Sequence, residues 1–250
     1  MNPAAINLLE ANLDKVKWYY LSQNTAAIDL INNNYESIIQ DDAENNQKEL
    51  LLNPAAIRLI EKQLIEIDWE QLSENPAAMH IIEANLNKVN WGSLSLNPAA
   101  IYLLEANQRY IEWYNLSENP AAIRLLEINL DKVNWEILSE NPAAIHLLEA
   151  NLDKVDWGGL SENPAAIHLL EANQDRINWE ELSLNPAAIH LLENNLSRVD
   201  WEELSKNPAA IHLLEANQAN IVWEKLSQNT AIFEITRDGM QCIMAEIMKL

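Results

Sequence analysis

An Asn-Pro pair returns every 22 residues along most of this 250-residue chain, with its proline at Pro54, Pro76, Pro98, Pro120, Pro142, Pro164, Pro186 and Pro208. Pro3 opens the series, and Asn24-Thr25 and Asn229-Thr230 continue it with threonine in the proline place. Tryptophan keeps the same beat at Trp69, Trp91, Trp113, Trp135, Trp157, Trp179, Trp201 and Trp223, with Trp18 in the first unit. Eleven units begin at 2, 24, 53, 75, 97, 119, 141, 163, 185, 207 and 229; only the second, at 29 residues, carries an insertion of seven. A fixed period of this size marks an array of supersecondary units rather than one globular core.

Residues 141–162 serve as the type unit. Asn141 is a good N-cap because its side-chain oxygen can accept an orphan backbone N–H, and Pro142 follows at the first helical position, where a missing N–H costs nothing. Alanine and leucine carry this helix to about Ala150. Asn151, tolerant of the left-handed conformation, is expected to end it. A second start follows at Asp156-Trp157. In sister units it reads Asn178-Trp-Glu-Glu181 and Asp200-Trp-Glu-Glu203, the pattern of a capping box. Few residues remain before the next Asn-Pro, so the second helix is one turn of α or a short 3₁₀ piece. At 100° per residue, Ala144, Leu148, Asn151 and Leu152 cluster on one side, with Ile145 and Leu147 widening that arc, while His146 points away and Glu149 flanks it. Val155, Trp157 and Leu160 complete the expected buried set, with the tryptophans as core. So small a set cannot offset the entropy of ordering a whole unit, so neighbours must stack.

The predicted fold is all-α: an α-solenoid of eleven units of about 22 residues, each a longer α-helix plus a one-turn α or 3₁₀ helix. It is read as a single solenoid domain over 1–250, with irregular units at 1–52, eight regular units at 53–228 and a capping unit at 229–250. Leucine-rich repeats share the period, and Val-x-Trp can be read as a short strand. The Asn-Pro start, the Ala-Ala-Ile-x-Leu-Leu-Glu run and the capping box favour helix instead.

At Asn-Pro-Ala-Ala-Ile-His-Leu-Leu-Glu-Ala-Asn and Trp-Glu-Glu-Leu-Ser, the sequence resembles repeat proteins encoded in many copies by giant DNA viruses of the Marseillevirus and Mimivirus kind. The resemblance covers residues 2 to about 228. It implies a viral origin and a helical solenoid, with no particular activity, and a setting in the host cytoplasm or the virion. Unit two, without tryptophan, and unit eleven depart from the pattern; they are expected to alter or stop regular stacking.

Charge narrows the function. With 38 acids against 16 bases the net charge is −22, which opposes binding to nucleic acid or to an anionic membrane surface, since both need basic residues. A single cysteine, Cys242, cannot form an internal disulfide. No apolar run approaches the length of a membrane span.

Several columns invite a sharper reading. His80, His146, His168, His190 and His212 share one outward position. The last four form an expected surface stripe, each paired with the glutamate three residues on, as His146 with Glu149. Stacked helices lie too far apart for this stripe to collect a full set of metal ligands, and no metal or cofactor is expected. The glutamate column (Glu61, Glu83, Glu149 and their repeats) recurs in equivalent settings, whereas an acid–base pair needs dissimilar ones. All six tyrosines lie in the first 114 residues. Tyr19, Tyr20, Tyr102, Tyr110 and Tyr114 are the partner-binding candidates, because exposed aromatics dominate binding hot spots. Phe233, Ile235, Met244 and Met248 are the candidates for self-association, including a homodimer through a solenoid end.

The expected function is a non-enzymatic protein–protein interaction scaffold built as an acidic helical array. Two alternatives are a self-associating structural component of a virion or viral factory, and an acidic decoy for basic proteins.

Overall fold

The computed structural model describes residues 3–34, 36–38, 43–62 and 66–233, and among them all regular structure is helical. The chain divides into two compact units, Met1–Val133 and Asn134–Leu250. Each is a solenoid stack of the same repeat, as the 22-residue beat requires.

In the type repeat the Asn-Pro helix opens as a 3₁₀ turn, Pro142–Ala144, and continues as α-helix over Ile145–Glu149. The proline offers no N–H, and the Ala144 amide closes a three-residue turn on the Asn141 carbonyl at 3.0 Å, so the first turn is tight. The second, Trp helix is α over Trp157–Glu162. The 3₁₀ geometry thus sits at the head of the longer helix, and the shorter helix is α.

Trp helices pack on their sequence neighbours. In the first unit the order is Trp18–Ser22, Ala43–Leu52, Trp69–Glu74, Trp91–Leu96, Trp113–Glu118; in the second it is Trp135–Glu140, Trp157–Glu162, Trp179–Leu184, Trp201–Lys206, Trp223–Leu226. Stacking therefore runs through unit two, contrary to the expectation of an altered stack. There the helix Ala43–Leu52 stands in the Trp-helix place, with Leu50 and Leu51 buried. The Asn-Pro turns also meet: Pro54–Ala56 contacts Pro76–Ala78, which contacts Pro98–Ala100, and Pro186–Ala188 contacts Pro208–Ala210. Their third residues (Ala56, Ala78, Ala100, Ala188, Ala210) are fully buried, so this line of close approach has room for a methyl and little more. Leu148, Leu160, Leu182, Leu192 and Leu204 form the aliphatic core of the second unit.

A polar ladder joins the repeats inside that core. Asn185 Oδ1 accepts the Ala187 amide at 3.0 Å, capping its own helix, while its Nδ2 donates at 2.9 Å to the Ser161 carbonyl, at the end of the repeat that begins at 141. The same double role belongs to Asn97, Asn119, Asn163 and Asn207. The serines complete it. Ser161 Oγ donates to the Trp157 carbonyl at 2.6 Å and accepts the Asn178 amide of the next repeat at 3.1 Å. The Ser161 carbonyl and the Ala187 and Asn178 amides so engaged lie at helix ends, where the backbone ladder offers them no partner.

This ladder corrects two local expectations. In a capping box the amide of the cap residue is bonded by the glutamate three places on. Here the Asn178 and Asp200 amides donate to Ser161 and Ser183 of the preceding repeat. Only the forward half of the box forms, Asp200 Oδ1 accepting the Glu202 and Glu203 amides. The second asparagine does not end its helix by turning left-handed: Asn107, Asn173, Asn195 and Asn217 have φ between −136° and −131°. It stops the helix by donating Nδ2 to the carbonyl four residues back, as Asn151 does to Leu147 at 2.9 Å.

Candidate binding surface

The side chains that reach solvent fall into three columns, each set by position in the repeat. The first is the tryptophan column: Trp18 is buried as expected, but from Trp69 to Trp201 the rings are half-buried rather than core, and Trp223 is exposed. In five of the regular repeats the ring is covered by a cation carried 19 residues on by the next repeat, while Trp201 has Asn220 at that place. Lys88 lies over Trp69 at 5.4 Å, Lys132 over Trp113 at 4.7 Å, Lys154 over Trp135 at 4.9 Å, Arg176 over Trp157 at 4.6 Å and Arg198 over Trp179 at 4.3 Å. The negative face of the indole attracts the charge while the aliphatic stem covers the ring edge. In one repeat an aromatic takes the cation's place: Tyr110 stacks on Trp91 at 4.8 Å, with Arg109 above Tyr110 at 4.5 Å. A cleft of about 460 Å³ opens beside that pair, lined by Leu86, Val89, Trp91, Asn107, Arg109 and Tyr110.

Sequence reasoning passed over this cation column, although its signal was available. In a chain with few bases, Lys88, Lys132, Lys154, Arg176 and Arg198 stand three residues before successive tryptophans.

The second column carries the histidines. They are exposed, as expected, but their glutamate partners come from the preceding repeat and not from three residues along the same helix. His168 Nε2 lies 2.6 Å from Glu149 Oε1, His190 2.6 Å from Glu171, His212 2.8 Å from Glu193, and His80 3.1 Å from Glu61. His146 occupies the same exposed position. Tyr102 stands in this column too, its hydroxyl donating to Glu83; that hydrogen bond raises the phenol above its ordinary pKa. The histidines thus serve as one rung each between repeats, an exposed pair of modest strength. Among the described residues no group of three or more potential ligands is placed to hold a metal ion.

The five tyrosine candidates are all exposed, from Tyr19 at 40% to Tyr20 at 70%. They are spread over separate positions. Tyr19 and Tyr20 meet edge to face at 5.3 Å, and the Glu49 carboxylate beside Tyr19 raises its pKa. Tyr102 belongs to the histidine column, Tyr110 to the cation column, and Tyr114 to the Trp helix Trp113–Glu118. Of the self-association candidates, Ile235, Met244, Met248 and the side chain of Phe233 lie outside the described residues.

The third column is acidic and runs along the Trp helices. Partial burial, a hydrogen bond with Glu181, and the charges of Glu181, Glu140 and Asp156 push Glu162 from 4.5 up to about 7. A carboxyl group raised in the fold holds a proton that the unfolded chain releases. Its stability contribution therefore falls as pH rises from about 4.5 to about 7, and the full penalty remains above that window. Glu162→Gln keeps a donor toward Glu181 and removes the charge. The expected result is a higher thermal midpoint than wild type at about pH 8 and little difference at about pH 5, read by circular dichroism melts. An equal shift at both values would assign the gain to something other than charge.

Compared with family models, with curated proteins and with solved structures, the chain finds no match. Among the described residues no helix is long and apolar enough to cross a membrane.

Proposed function

We propose that this protein is a non-enzymatic scaffold for protein–protein interaction, displaying acidic helical surfaces to its partners. The observation that carries the reading is the recurrence of the same exposed groups in the same settings, repeat after repeat, in each unit. The His–Glu rungs and capped tryptophans provide a uniform frame, and the exposed tyrosines break that uniformity where a partner needs distinct contacts. Repetition gives the glutamates and imidazoles of the histidine column equivalent neighbourhoods, whereas acid–base catalysis separates the roles of two groups by separating their environments. The resemblance to repeat proteins of giant DNA viruses places the scaffold, in this reading, in an infected host cell or a virion. The net charge of −22 favours partners with basic surfaces.

The test is cross-linking mass spectrometry on captured complexes, with wild type beside a variant carrying Tyr19→Ser, Tyr20→Ser, Tyr102→Ser, Tyr110→Ser and Tyr114→Ser. The expected result is a partner whose cross-links flank these tyrosines and whose capture is lost in the variant. Equal capture by the folded variant, or no partner above background, overturns the reading. Sedimentation showing concentration-dependent self-association would instead favour a structural role.

A further inference from the structure

Among the described residues the last histidine rung is His212 on Glu193, and the last cation on a tryptophan is Arg198 on Trp179, with Asn220 at the cation position for Trp201. Trp223 is 68% exposed, against half-burial for the other tryptophans of the regular repeats. The residue 19 positions on from Trp223, where five earlier repeats put lysine or arginine, is Cys242. Glu215 belongs to the column whose earlier members, Glu171 and Glu193, each meet a histidine 19 residues on. The residue that far beyond Glu215 is Glu234, another acid. Glu215 and Trp223 line one cleft of about 260 Å³, together with Ile211, Leu214, Ile221 and Leu226. Among the described residues, an apolar floor, an exposed indole face and a carboxylate thus stand where earlier repeats receive two basic side chains.

We infer that this cleft is a docking site for a basic segment of a partner protein, one that supplies a cation to the Trp223 face and a second to Glu215. The fold provides the template for that occupant. Arg176 on Trp157 and Arg198 on Trp179 show the chemistry that closes an indole face here. His190 and Arg198, which meet Glu171 and Trp179, lie eight residues apart on one repeat, with leucines between them. The matching partner segment carries two basic residues about that far apart along a helical stretch, with aliphatic residues toward the cleft. Such a segment brings opposite charge to a chain of net charge −22, and its guanidinium groups gain from both the ring quadrupole and the carboxylate. This rests on the scaffold reading and narrows it to one surface and one class of partner.

The probe is a fluorescein-labelled synthetic helical peptide with two arginines eight residues apart and leucines between, titrated against the full chain at physiological salt. Saturable binding is expected. Trp223→Ala is expected to weaken it about tenfold, and Glu215→Gln by a few-fold. Replacing each arginine singly by norleucine assigns the contacts, because one replacement makes binding indifferent to Trp223→Ala and the other makes it indifferent to Glu215→Gln. Circular dichroism confirms that both variants fold. Affinity unchanged by Trp223→Ala, equal binding of the norleucine peptides, or no saturable binding overturns the inference. So does sedimentation showing that a second copy of the chain occupies the face and is released by Trp223→Ala. Any of these failures leaves the tyrosine-dependent capture above standing on its own result.

Discussion

Asn185→Ala is expected to destabilise the repeats around it by about 3 kcal/mol, the combined effect of a lost helix cap and a buried carbonyl left without its donor. The side chain is buried and makes both bonds at once, accepting from Ala187 and donating to Ser161. The bond to the Ser161 carbonyl is buried, so the loss exceeds that of an ordinary exposed cap. Asn185→Asp separates the two roles. It retains an acceptor for the Ala187 amide but turns a negative oxygen toward the Ser161 carbonyl. At neutral pH it is expected to be worse than alanine. The buried carboxylate gains a proton in the fold that the unfolded chain gives up, so its penalty is full above the raised pKa and shrinks as pH falls toward the ordinary carboxylate value of about 4. Urea unfolding of the full chain at about pH 7 and about pH 5 reads both effects. A loss below about 0.5 kcal/mol for Asn185→Ala would mean that the ladder does not join the repeats.

Much of this architecture was legible in the sequence, because periodicity reports which residues share a setting. The Asn-Pro beat located the regular repeats, Asn141 was read as a cap, and Ala144, Leu148 and Leu160 were placed inside. His146 and Glu149 were placed outside, and the structure agrees with each. What periodicity does not report is how one column is offset against the next. Helix geometry alone makes Glu149 the neighbour of His146, yet the stack sets Glu149 beside His168. The offset between columns is 19 residues and not 22, because a side chain early in one Asn-Pro helix reaches one late in the helix before it. The same offset lays Arg176 over Trp157, a pairing that turns an expected core tryptophan into a half-buried, cation-capped one. The capping box failed for a related reason. Ser161 of the preceding repeat arrives at the Asn178 amide and leaves the glutamate nothing to bond there. These interactions belong to tertiary packing, and local pattern rules have no access to them.

Leu182→Ala is the complementary test, directed at the apolar side of the same interface. Leu182 is fully buried in the Trp helix Trp179–Leu184, which packs against both the Trp157–Glu162 and Trp201–Lys206 helices. Truncation removes the transfer free energy of the lost methyl groups and leaves a cavity between two interfaces. The expected cost is about 3–5 kcal/mol, against less than about 1.5 for the near-isosteric Leu182→Met. How that loss is distributed is the more telling readout. In a globular core it would appear as a lower global midpoint. In an array each repeat is held by its neighbours alone, so the loss concentrates in the repeats that share Leu182. Amide hydrogen exchange is expected to quicken in 157–206, centred on the Trp179–Leu184 helix, while Trp69–Glu74 and Trp91–Leu96 keep their protection. Uniform loss of protection along the chain would show a single cooperative body, and the stacking account of how these units become stable would fall.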